Sequence, residues 1–203
     1  MRVWSVLILL ACAVNVQAAD AAHGKSLYTA CAACHLPDGG GNRSLNAPRL
    51  AGQSGWYLKR QLEAFKSGVR GAAAGDMFGA QMRPMAMMLS DPAAIDDVVA
   101  YVATLDAPPA AATVTGDVAK GKQLYATCAA CHGANAEGNE QLNAPRLAGQ
   151  SDWYLVRQLK NFKSGRRGSQ PNDTFGMQMK PMAAVLANDQ AIDDVVAYID
   201  TLE

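Results

Sequence analysis

The sequence predicts an all-α protein made of two tandem helical domains. Three observations carry this. Sliding the 203-residue chain by 97 positions aligns residues 24–105 with 121–202 without a gap, and well over half of the aligned residues are identical. Within each copy, apolar residues recur at three- and four-residue intervals rather than alternating, which is the spacing of a helix that buries one face. The same pentapeptide, CAACH, begins at Cys31 and again at Cys128.

Taken in order, the chain opens with a leader. Arg2 supplies a positive charge, residues 3–14 an apolar run, and Val16-Gln17-Ala18 a small-residue cleavage pattern. Residues 1–19 therefore read as a secretory signal peptide. The apolar run is short for a membrane span, which needs about 20 residues; an uncleaved anchor, and a weak lipoprotein-like site at Cys12, are the other readings of this segment. The first domain is expected over residues 20–105. Residues 25–34 read as a helix leading into the pentapeptide, and 36–53 as a loop. A second helix starts after Ser54 as N-cap and ends at Gly68, with Trp56, Leu58, Leu62 and Phe65 as its apolar positions. Residues 70–81, rich in Gly, read as loop. A last helix over 91–105 has Pro92 in its first turn and Ile95, Val98, Val99, Val102 and Leu105 on one face. Residues 106–117, rich in Pro and Ala, read as a linker. The second domain, 118–203, repeats the pattern, with helices over 151–163 and 189–202.

C-x-x-C-H is the attachment signature of c-type haem. Two thiols three residues apart can bond to the two vinyl groups of one porphyrin, and the adjacent histidine then faces the iron. Cys31, Cys34, Cys128 and Cys131 are thus expected to carry two covalent haem c groups, with His35 and His132 as proximal ligands. A thioredoxin-like dithiol calls for a βαβ context, and a four-cysteine zinc site has its pairs closer together; neither condition is met. Without the leader, no cysteine is left over for a disulfide.

The opposite face of each iron decides between carrier and catalyst. His23 has Lys120 as its counterpart, so symmetric bis-histidine ligation is excluded. Met82 and Met179 recur in Q-M-[RK]-P-M-A, as do Met85 and Met182. One recurrent methionine per copy is expected to ligate; the unpaired methionines read as packing. Arg49, Trp56 and Arg60, with Arg146, Trp153 and Arg157, are candidate donors to haem propionates.

These motifs resemble the dihaem cytochrome c4 family, two tandem class I cytochrome c domains. The resemblance covers the whole chain beyond the leader and rests on the paired C-x-x-C-H, on P-x-L-A-G-Q at 48–53 and 145–150, and on a methionine shortly before Leu89-Ser90-Asp91. It places the distal ligand at Met82, and through the repeat at Met179, where Leu186-Ala187-Asn188 departs from the family's helix start. It implies that the carbonyls of Pro48 and Pro145 hold the proximal rings. It also implies a periplasmic carrier of single electrons between a quinol-oxidising complex and a terminal oxidase, with loose membrane association possible. Nothing points to nucleic acid: the chain carries 18 basic and 18 acidic residues. The rival readings are a dihaem peroxidase or other oxidoreductase with one open iron, and a haem-bearing subunit or sensor of a larger complex.

Overall fold

The computed structural model describes residues 18–202, so the expected leader lies outside the described residues except for its last two. Eight α-helices occupy the described residues, four to a copy. The first copy holds α1 (Ala21–His35), α2 (Gly55–Ser67), α3 (Met77–Met87) and α4 (Pro92–Val102). The second holds α5 (Val118–His132), α6 (Asp152–Lys163), α7 (Thr174–Ala184) and α8 (Asp189–Ile199). Among the described residues there is no strand, only an isolated bridge in each copy, Asn42 to Ala47 and Asn139 to Ala144.

Side-chain oxygens start six of the helices by accepting the orphan N–H groups of the first turn. Asp20, Asp76 and Asp91 do so in the first copy, and Asp117, Asp173 and Asn188 in the second. Ser54 and Ser151 stand at the cap positions of α2 and α6, but their hydroxyls make no capping bond. Gly68 closes α2 in a left-handed conformation, as the sequence predicts.

Helix α1 crosses α4 at Gly24, and α5 crosses α8 at Gly121. A Cβ on Gly24 would sit 1.9 Å from the Asp97 carbonyl oxygen, and one on Gly121 would sit 2.0 Å from that of Asp194. The backbones therefore touch, and the core fills in around the crossing. Tyr28, Leu89, Ile95, Val98 and Val102 make the first cluster; Tyr125, Leu186, Ile192, Val195, Val196 and Ile199 make the second.

One expectation is overturned. The segment read as loop over 70–81 already contains the start of α3, and α7 matches it in the second copy. Gly79, Pro84, Gly176 and Pro181 lie inside these helices, and their low helix propensity hides the elements from a reading of the sequence. The Asp76 carboxylate bonds to the Gly79 N–H at 3.1 Å, and that of Asp173 to the Gly176 N–H at 2.9 Å. These caps, with burial of Ala86 and Ala183, supply what propensity lacks.

Leu36, which follows the first pentapeptide, has φ 68 and ψ 157, whereas its counterpart Gly133 has φ 85. That region belongs almost entirely to glycine and costs another residue about 1–3 kcal/mol. Leu36→Gly is expected to stabilise the first domain by about 1 kcal/mol, read as a higher denaturant midpoint.

A second local difference predicts pH dependence. His23 Nδ1 lies 2.7 Å from Asp97 Oδ2, while Asp97 Oδ1 accepts the Asp20 N–H at 2.6 Å. The bond to Asp97 raises the histidine pKa against a smaller opposing effect of burial. A raised pKa means that this contribution is fully present below the ordinary histidine value of about 6.5 and is lost as pH rises through the folded one. The melting temperature of the first domain is expected to decline across that window. His23→Lys, which installs the second copy's residue, is expected to abolish the decline.

The residues between the copies have no regular structure, yet they are tied down. The Arg49 guanidinium donates to the carbonyls of Ala107 (2.7 Å) and Pro108. The buried Asp152 carboxylate accepts the N–H of Thr113, the Thr113 hydroxyl at 2.8 Å and the Val114 N–H at 2.6 Å.

Candidate haem sites

The end of α1 carries Cys31, Cys34 and His35 onto one wall of a cavity. Its other walls come from residues 45–50, from α2 and from α3. Of the four pentapeptide cysteines, Cys34 and Cys131 are exposed, and Cys31 and Cys128 half-buried. His35 and His132 are each 5 % exposed. His35 Nδ1 lies 2.8 Å from the Pro48 carbonyl oxygen, and His132 Nδ1 lies 2.8 Å from that of Pro145. A carbonyl only accepts, so Nδ1 carries the proton and Nε2 keeps its lone pair free. Burial lowers both histidine pKa values, against a smaller raising effect of the proline carbonyls. The rings are thus neutral and fixed in the tautomer that a metal needs.

The turn after each pentapeptide is braced from the core. Tyr28 Oη donates to the Leu36 carbonyl at 2.9 Å, and Tyr125 Oη to the Gly133 carbonyl at 2.8 Å. Across the first cavity, α3 presents Phe78, Met82, Met85 and Ala86. Met82 and Met85 both line the wall, so the first copy alone does not separate them. In the second copy Met179 is half-buried, whereas Met182 is 38 % exposed.

The arginines read from the sequence as propionate donors also bond to protein groups, and the tryptophans stack on them. Besides the linker, Arg49 serves the Ala51 carbonyl at 3.0 Å, and Arg146 Nε donates to the Ala148 carbonyl at 3.1 Å. Arg60 Nη1 reaches across to Asn143 Oδ1 at 3.0 Å, and Arg157 Nη1 to Asn46 Oδ1 at 2.8 Å. Arg60 is stacked on Trp56 and on Phe175 of the other copy, and Arg157 on Trp153 and Phe78. The two tryptophans act as platforms for these arginines, and Trp56 does not line the first cavity. These pairs are reciprocal, so the two copies meet about a pseudo-twofold axis. Gln53 and Gln150 add a further exchange, each donating at 3.0 Å to the carbonyl of the other copy's arginine, Arg146 or Arg49.

The sequence reading missed the buried centre of this interface. Arg70 donates to Gln61 (2.7 Å) and to Tyr154 Oη (2.7 Å) and Gln158 (3.2 Å) of the second copy. Arg167 donates to Gln158 (2.8 Å) and Gln61 (3.2 Å). Both arginines are 9 % exposed, neither has a carboxylate ion pair, and the Nε of each is buried without a partner. Arg70, Gln61, Tyr154, Arg157 and Gln158 all line the first cavity, so that site draws on both halves of the chain. The signal was present in the repeat, since Gln61 and Arg70 recur as Gln158 and Arg167, but nothing local marks them as central.

Two helical repeats, each with a locked histidine beside a pair of cysteines, and in the first copy a cavity behind them, define a tandem c-type cytochrome. The cytochrome c family model matches residues 21–106 and 118–203. The chain is 36 % identical over 197 residues to cytochrome c4 of Azotobacter vinelandii, covering 91 % of this chain and 90 % of that protein. It is 34 % identical over 203 residues to the thiosulfate dehydrogenase electron acceptor of Stutzerimonas stutzeri, covering 89 % and 88 %. The crystal structure of reduced recombinant cytochrome c4 from Pseudomonas stutzeri matches with a TM-score of 0.72 at 30 % identity, covering 92 % of this chain and all of that one. The chain belongs to the cytochrome c family and, within it, to the dihaem cytochromes c4, with one covalent haem c to each domain.

Proposed function

We propose that the protein is a periplasmic electron carrier, not an enzyme, that takes single electrons from a quinol-oxidising complex and passes them toward a terminal oxidase. The observation that carries this is the pairing, in the first cavity, of a locked proximal histidine with a methionine-bearing helix on the facing wall. His/Met ligation suits electron transfer at a raised potential. The bound haem supplies the one-electron chemistry.

In this reading Cys31 and Cys34 hold the first haem as thioethers, and Cys128 and Cys131 the second. His35 and Met82 would ligate one iron, and His132 and Met179 the other. The burial contrast between Met179 and Met182 supports this choice over the second methionine of each motif. The Pro48 and Pro145 carbonyls orient the imidazoles and raise their basicity. Leu58, Leu62, Phe65, Val98 and Val102 wall the first cavity and would keep water from a bound haem. Arg70 and Arg167, buried without a carboxylate counter-charge, suit the ionised propionates, because burying an unpaired cation is costly. The domains follow the repeat, at 20–105 and 118–203, with 106–117 as the connection.

Export rests on the leader over residues 1–19. The name of the Stutzerimonas relative supports a thiosulfate dehydrogenase as one alternative donor. No helix among the described residues is long and apolar enough to cross a membrane. Spectroelectrochemical titration of the holoprotein is expected to give two reversible one-electron steps, with no turnover of peroxide. Peroxide turnover faster than that of free haem would overturn the carrier reading in favour of an oxidoreductase.

A further inference from the structure

Beside the first haem cavity lies a second cleft between the copies, of about 270 Å³. One wall is the turn into α3 (Gly75, Asp76, Met77 and Phe78); the other is α6 and the residues after it (Trp153, Val156, Arg157, Lys160, Asn161 and Arg166). The pseudo-twofold gives each of these positions a mirror, and the comparison is informative. Where α6 and its end have Lys160, Asn161 and Arg166, the first copy has Glu63, Ala64 and Val69. In this one cleft an acid has become a base and two apolar positions have become hydrogen-bond donors, while Lys59 of the first copy has become Val156.

The geometry of these residues points to a ligand. Asn161 is only 6 % exposed and lines the cleft. Arg166 makes no hydrogen bond or ion pair, and its guanidinium lies against Gly75, whose added Cβ would sit 3.1 Å from Arg166 Nε. A glycine at that point leaves room for the cation; the mirror residue is Asn172. Arg157 spends its Nη groups on neutral Asn46. Against these cations stand the Asp76 carboxylate, already engaged as the cap of α3, and Asp189, which pairs with Lys160 at 2.7 Å. Arg157 and Arg166 face no carboxylate within ion-pair distance.

We propose that this cleft binds a small tetrahedral oxyanion of the sulfate or phosphate class, held by Arg166 and the Asn161 amide with Lys160 at its edge. Such a ligand accepts several charge-assisted hydrogen bonds at once, which is what these donors offer. Phe78, Asp76 and Arg157 line both this cleft and the first haem cavity, so a bound anion would act on one haem and not equally on the other. Negative charge placed there favours the oxidised iron by Coulomb attraction. The inference rests on the two-haem reading, but its failure would leave that reading intact.

The test is a redox titration of the holoprotein in sodium sulfate and in sodium chloride at equal ionic strength. One of the two midpoints is expected to fall saturably in sulfate while the other holds. In Asn161→Ala/Arg166→Val, which installs the first copy's residues, sulfate binding is expected to weaken about tenfold or more, with visible spectrum and unfolding midpoint kept. Calorimetric titration of sulfate into both proteins reads the same loss directly. Equal midpoints in the two salts, parallel movement of both haems, or a sulfate response that survives in the double variant would overturn the proposal.

Discussion

Gly24→Val is expected to prevent the first domain from folding while leaving the second intact. The added Cβ would sit 1.9 Å from the Asp97 carbonyl oxygen, 2.5 Å from its carbon and 3.0 Å from the Tyr101 Cβ. Two of these are backbone atoms of α4, which cannot turn aside as a flexible side chain can. The helices must move apart, and the layer of Tyr28, Ile95 and Val98 beside the crossing loses its contacts. A disruption of this kind exceeds about 4 kcal/mol, against a total stability of about 5–15 kcal/mol for a domain. The expected result is a product carrying one haem instead of two, read as a mass lower by one haem and half the absorbance per chain. Gly121→Val is expected to give the mirror outcome. Normal loading with both haems in either variant would contradict the close crossing.

Met82→Ala is expected to open the first iron without unfolding the domain. Met82 is half-buried on the face of α3 that lines the cavity, and the thiol pair with His35 still anchors the haem from α1. Removing the distal ligand is expected to lower the potential of that haem, since His/Met ligation raises it, and to let carbon monoxide bind one haem in two. Met85→Ala provides the control. It removes a methionine from the same wall and is expected to keep the carbon monoxide-inert spectrum and the higher potential. If Met85→Ala opened the iron and Met82→Ala did not, the ligand assignment would pass to Met85, and through the repeat to Met182.

Much of the architecture was legible because the sequence states it twice. The repeat shows one unit folding in two copies, the three- and four-residue spacing marks α2, α4, α6 and α8, and C-x-x-C-H names the prosthetic group by its chemistry. What stayed hidden had no local signature. Helices α3 and α7 contain Gly and Pro, so propensity argues against them, and they form because Asp76 and Asp173 cap them and a buried face holds them. The protein contacts of Arg49, Arg60 and Arg157 stayed hidden for a related reason. Residue type marks a guanidinium as a carboxylate donor, but the linker and the opposite domain present carbonyls and Asn side chains first. Arg70 and Arg167 lie in glycine-rich turns and gain their meaning only when the two copies meet.

The most direct test of the central claim is carbon monoxide binding to the freshly purified, reduced wild-type protein, followed in the visible spectrum at neutral pH. Two irons closed by strong sixth ligands predict no spectral change. Rapid binding at one haem would contradict the closed-carrier account and place the open-site oxidoreductase ahead of it.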